Sequence, residues 1–255
     1  MTFALLGALL IGLSLGLLGS GGSILTVPVL VYLVEQDEKV AIAGSLFIVG
    51  TIALAGSIPY ARQELVHWRS VLWFGVPGMG GTLLGAYLSE FLTGTAQLAI
   101  FAFVMLLAAG LMIRPAGSKT EDAIPRARAP WKIVLDGLLV GALTGLVGVG
   151  GGFLIVPALV LLGGLSMRLA VGTSLLIIAL KSSTGFAKYL SILHASGQEL
   201  DWQILGLFSA LGIVGTFAGR ALGGRIPQQK LRRIFGGFLV VMAAYILVRE
   251  LGSLG

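Results

Sequence analysis

The chain has 255 residues, of which 56% are hydrophobic and only 11% charged, with a formal net charge of +6 and no cysteine. A soluble domain carries roughly 25% charged residues, so this composition excludes an ordinary soluble enzyme, and it is far too apolar for a disordered chain. Without cysteine there are no disulfides, thiolate metal sites or cysteine nucleophiles.

Apolar segments lie at 2–34, 40–60, 71–91, 96–113, 133–162, 169–190, 203–222 and 231–251. Most run to about 20 residues, the length that crosses a bilayer core as a helix. The pattern predicts an all-α, polytopic membrane protein. The first segment has no charged n-region and stays apolar to Val34, so it does not read as a cleaved signal peptide. One polar linker, 114–132, contains Pro115, Pro125 and Pro130. It separates a first transmembrane repeat (1–113) from a second (133–255).

The halves are copies of one another. A shift of 129 places residues 12–60 on 141–189 without a gap, and 18 of the 49 pairs are identical. The densest match is GLLGSGGSILTVPVLVYL at 16–33 against GLVGVGGGFLIVPALVLL at 145–162. A shift of 134 then places 68–88 on 202–222, matching Gly78, Gly81, Thr82 and Gly85 with Gly212, Gly215, Thr216 and Gly219.

The first segment of each half is interrupted by glycines, at 19–23 and 148–152, and then by Pro28 or Pro157. Glycine costs about 1 kcal/mol in a helix interior, and proline removes an amide hydrogen and clashes with the preceding turn. Either a broken helix that crosses once or a re-entrant hairpin fits this pattern. Charge counting selects between them. If all eight segments cross, the Lys and Arg outside the membrane divide nine to seven. If segments one and five re-enter, they divide thirteen to three, with only Lys39, Lys188 and Arg249 on the poorer face. Basic residues collect on the cytoplasmic side, so the sequence predicts two inverted repeats in a cell (plasma or inner) membrane. Each has a re-entrant or broken first helix and three transmembrane helices, with basic loops and the 114–132 linker cytoplasmic.

The glycine breaks are also the strongest chemical signal. A half-helix starting there points free amides and a positive dipole end into the protein, which suits an anion, and such paired half-helices recur in secondary transporters. The candidate substrate-binding residues are Gly19, Ser20, Gly21, Gly22 and Ser23 in the first copy and Gly148, Gly150, Gly151 and Gly152 in the second. Lys181 joins them because it sits near the middle of segment 169–190, where a charge costs at least about 2.5–3.5 kcal/mol. Its repeat counterpart is Ile52, which makes the expected site asymmetric. Ser45, Thr173 and Ser174 could hydrogen-bond oxyanion oxygens, although any one of them can equally bond back to its own helix. His67 and His194 lie far apart, so neither a metal centre nor a cofactor is expected. Glycines four apart (Gly12/Gly16, Gly141/Gly145, Gly81/Gly85, Gly215/Gly219) read as close helix packing. Trp68, Trp73, Trp131 and Trp202 fall near segment ends, as interfacial anchors do.

The duplicated GLLGSGGSILTVPVL and GLVGVGGGFLIVPAL, followed by AIAGSLFIV and AVGTSLLII, resemble the TauE/SafE family of sulfite and organosulfonate exporters. The resemblance covers essentially the whole chain, including the Trp68 and Trp202 blocks. It implies a secondary transporter, not an enzyme, that moves small sulfur-containing anions such as sulfite, thiosulfate or sulfoacetate, usually outward. An anion channel, an importer and a non-transporting membrane scaffold are the alternatives. The expected partners are that anion and the lipid bilayer, with a homodimer as a further candidate and no nucleic acid.

Overall fold

Helix boundaries fall where the chain carries residues able to start or stop a helix. The computed structural model describes residues 2–113, 130–147, 152–223 and 226–253. α1 (Thr2–Leu18) stops at Gly19, whose φ of +71° is a left-handed conformation that L side chains avoid. α2 (Gly21–Tyr32) follows at once, and α3 (Glu38–Arg62) starts behind Asp37, whose carboxylate accepts from the Lys39 amide at 3.0 Å. α4 (Trp68–Phe91) widens into a π-helical turn over Val71–Gly75. Pro77, just beyond, has no amide hydrogen for the Trp73 carbonyl, which favours that widening. α5 (Gly94–Ile113) completes the first half.

The second half comprises α6 (Pro130–Val147), α7 (Gly152–Pro157, continuing as a π-helical turn over Ala158–Leu162), α8 (Met167–Ser196), α9 (Trp202–Gly223) and α10 (Gln228–Ser253). Among the described residues there is no strand, and α3, α4, α8 and α9 are long and apolar enough to cross a bilayer. The molecule is an all-helical, polytopic membrane protein. Large apolar side chains face outward, with Phe91, Phe103, Val241 and Val248 all at least 66% exposed. Trp68, Trp131 and Trp202 are more than half exposed at helix starts.

α2 folds back along α1. A β-carbon on Gly7 would meet the Val29 side chain at 3.0 Å, and one on Gly22 would meet Leu15 at 2.9 Å. Low numbers in one helix therefore face high numbers in the other. The first apolar segment is a hairpin that turns at Gly19 and Ser20, not a broken helix that continues across. The corresponding turn of the second half, 148–151, lies outside the described residues.

Packing between halves uses the glycine rows. α1 runs parallel to α9, with Gly12 against the backbone of Gly212 and Gly16 against that of Thr216. α6 runs parallel to α4 through the repeat-related pairs, Gly141 against Gly78 and Gly145 against Thr82. A β-carbon at any of these four first-named glycines would run into a backbone carbonyl. Such small residues let backbones approach closely where lipid supplies no hydrophobic drive between helices.

α3 and α8 are repeat counterparts, and they pack on each other antiparallel. Gly56 faces Leu175, Gly185 faces Leu46, and Gly50 faces Ser182. Adding 129 to Gly56 and to Leu46 gives Gly185 and Leu175, so exchanging the halves exchanges these two contacts. α5 and α10 likewise pack together.

Candidate anion site

Lys181 lies mid-way along α8 and is fully buried. Its side chain crosses to α4, where its Cε and Nζ fill the space that a side chain on Gly78 would need. The π-helical turn directs the Phe74 ring at it, with Nζ 5.0 Å from the ring centroid. Nζ has no hydrogen-bond partner among the described residues, and neither has the buried hydroxyl of Ser182 beside it. A desolvated cation–π contact contributes about 2 kcal/mol or more, which offsets part of the about 2.5–3.5 kcal/mol or more that a mid-membrane charge costs. The ammonium is left electrostatically incomplete.

The repeat-related position is complete. There Ile52 lies against Gly212, the counterpart of Gly78, with its Cδ1 in the equivalent space. One half thus seats an apolar chain where the other seats a cation.

The α1–α2 turn sits against α8 two helical turns before Lys181. A β-carbon on Gly19 would come within 2.8 Å of Val171 Cα, so only glycine fits in both conformation and space. Ser174 Oγ donates to the Gly19 carbonyl at 2.9 Å and also contacts the Val171 carbonyl at 2.9 Å. Ser20 is buried at the N-cap of α2 without capping it through its side chain. The first amides of α2, from Gly21, Gly22 and Ser23, therefore begin a helix whose positive end meets α8.

Most of the candidate hydroxyls bond to helix carbonyls. Ser23 donates to Ser20 O at 2.7 Å and Ser45 to Ile42 O at 2.9 Å. Thr173 donates to Leu169 O at 2.6 Å and accepts from the His67 amide at 2.9 Å, which ties the α3–α4 loop to α8. The structure thus brings Gly19, Ser20 and Ser174 together. It holds Lys181 about 10 Å further along α8, from seven residues at 1.5 Å each, and places Ser45 on α3. Gly152 opens α7, while Gly148, Gly150 and Gly151 lie outside the described residues.

The sequence marks Gly78 only as a glycine shared by both repeats and gives Phe74 no role. The signal was present, because Pro77 interrupts an otherwise regular apolar segment next to a glycine shared by both repeats.

A family model described as "Sulfite exporter TauE/SafE" matches residues 4–246. The chain belongs to the TauE/SafE family. Relatives of this TauE/SafE protein include a "Probable membrane transporter protein" of Xylella fastidiosa, 34% identical over 250 residues, which cover 96% of this chain and 94% of that one. "Probable membrane transporter protein YunE" of Bacillus subtilis is 30% identical over 90% of both chains. "Probable membrane transporter protein MJ0441" of Methanocaldococcus jannaschii is 26% identical over 94% of both. No solved structure matches. Family and relatives together make this TauE/SafE protein a membrane transporter, not an enzyme.

Proposed function

We propose that the protein is a secondary, alternating-access carrier that exports small sulfur-containing anions (sulfite, thiosulfate or an organosulfonate such as sulfoacetate) across the cell membrane. The observation that carries this reading is the buried ammonium of Lys181, which has no hydrogen-bond partner among the described residues. A buried cation with no partner among the described residues gains most from a ligand of charge −1 or −2. The uncapped start of α2 offers backbone amides to the same kind of ligand.

The two halves are read as inverted repeats. Antiparallel packing of α3 on α8 supports this, because counterparts related by a two-fold axis along the membrane normal would run parallel. The end of the bundle carrying Arg62, Arg168 and Arg220 is read as cytoplasmic. With the cell interior negative, outward movement of one negative charge gains about 2.3 kcal/mol per 100 mV, so export needs no ATP.

The test is counterflow of radiolabelled sulfite and thiosulfate in proteoliposomes. Wild type should exchange at least one of them, and Lys181→Gln should lose most of that exchange. Wild-type flux retained in Lys181→Gln would remove Lys181 from the site. Conductance far above carrier turnover, with no counterflow, would replace the carrier by a channel.

A further inference from the structure

At the end of the bundle where α3 finishes, α8 starts and α9 finishes, a cleft of about 400 Å³ opens. Its lining includes Tyr60, Gln63, Arg168 and Arg220, together with Leu17 and Val171. Those last two flank the Gly19 turn, Leu17 by sequence and Val171 by contact. Arg220 lies over the Tyr60 ring, 4.9 Å from its centroid. No carboxylate among the described residues lines the cleft. Arg168 stands in the first turn of α8, where the helix dipole disfavours a cation. The cleft therefore concentrates positive charge that no acidic side chain among the described lining residues offsets, and it adjoins the Gly19 turn.

The opposite end shows what this cleft is in the other half. By the repeat, Tyr60, Leu17, Arg168 and Arg220 correspond to Tyr189, Leu146, Lys39 and Ala86. There the space is closed. Tyr189 is fully buried, and its hydroxyl reaches the carbonyls of Gly145 and Leu146, each at 3.2 Å. Gln97 Nε2 donates to Leu146 O at 2.7 Å and to the Tyr189 hydroxyl at 3.0 Å. Lys39 Nζ donates to Ser89 O at 3.2 Å. Tyr189 thus bonds to the carbonyls of Gly145 and Leu146 on α6, whereas its counterpart Tyr60 and Leu17 of α1 both line the open cleft. A surface dent has no reason to coincide with the sealed joint of the opposite repeat, but an access chamber does.

We infer that this cleft is the anion-binding entry chamber of the transporter, in which Arg220 and Arg168 hold a small oxyanion beside the Gly19 turn. The inference rests on the anion-transport reading above. Arg220 supplies a planar fork able to take two oxyanion oxygens, on a ring that fixes its orientation. Arg168, more exposed, adds charge at the mouth. Gln63 supplies neutral hydrogen bonding. The ligand could be a free sulfur oxyanion or a phospholipid phosphate at the membrane edge, and the experiment separates the two.

Full-length protein in phospholipid-free detergent is titrated calorimetrically with sodium sulfite and sodium thiosulfate. Arg220→Gln should weaken binding by about tenfold or more, the loss of one charge-assisted hydrogen bond. Arg168→Gln should weaken it less, and Arg220→Lys should recover the larger part. Melting temperatures of the exposed-site variant Arg168→Gln should match wild type, so that its weaker binding cannot be ascribed to unfolding. Wild type that binds neither anion and exchanges neither overturns the function proposed above, and this chamber with it. Wild type that binds while Arg220→Gln and Arg168→Gln bind equally well overturns the chamber alone. Unchanged sulfite binding in Arg220→Gln, together with lost stabilisation by phosphatidylglycerol, would make the cleft a lipid site and overturn it too.

Discussion

Lys181 reaches across from α8 into the volume left by the missing side chain of Gly78. The glycine is there for the lysine as well as for the crossing of α4 with α6. Gly78→Ala should therefore displace the ammonium first, because Cε and Nζ are the movable end of a flexible chain while the Gly137 carbonyl on the other side is not. The expected outcome is a folded protein, destabilised by about 1–3 kcal/mol as for other overpacked sites, with sulfite counterflow reduced far more than its melting temperature would imply. Flux and thermal unfolding measured on the same preparation check this.

Glycines that look alike in the sequence should separate into two classes. Gly16→Ala and Gly145→Ala drive a β-carbon into the Thr216 and Thr82 backbones, and each should cost about 1–3 kcal/mol or more. Gly80→Ala and Gly110→Ala meet nothing within 4 Å and should be neutral or gain up to about 1 kcal/mol from helix propensity. Detergent-resistance melting curves of the four variants give the comparison.

Gly19→Ala should be worse than an ordinary turn substitution. It forces an alanine to φ +71°, which costs about 1–2 kcal/mol, and also pushes Val171. Ser174→Ala should remove one buried hydrogen bond to the same turn, worth about 0.5–1.5 kcal/mol. Because both act on one contact, the double variant should cost less than the sum, as a double-mutant cycle would measure.

The absence of cysteine makes topology directly measurable. The antiparallel α3–α8 packing puts Gln36 and Gln198 at one end of the bundle and Gln63 at the other. Gln36→Cys and Gln198→Cys should react with an impermeant maleimide from the same side, and Gln63→Cys from the opposite side. Labelling of positions 36 and 198 from opposite sides would contradict the hairpin.

Much of this architecture could be read from residue order. The repeat is visible because Gly12, Gly16, Gly141 and Gly145 must each be small where another backbone touches them, and that demand fixes residue type. The nature of the glycine break was not local information, since a crossing and a hairpin use the same Gly-Ser-Gly-Gly-Ser. It took charge counting to favour a re-entrant turn, and the contacts of Gly7 with Val29 and Gly22 with Leu15 to display one in the first half. Lys181 could be singled out because a charge amid apolar residues is anomalous in any fold. Tyr60, Arg168 and Arg220 could not, because each is ordinary at a helix end and they converge only after three distant helices have packed. The hydroxyls of Ser23, Ser45 and Thr173 show why composition overstates a polar site: a helix carbonyl is always the nearest acceptor.

The contrast between Lys181 at Gly78 and Ile52 at Gly212 has a consequence for why the two copies share one polypeptide. A pair of identical half-length chains must place every side chain twice, so a lysine at this depth would bring a second buried cation with it. Fusing the copies frees each to diverge, and a lone charge can then be installed near the centre of an otherwise symmetric frame. Selectivity and direction can then evolve at single positions without disturbing the glycine joints that hold both halves together.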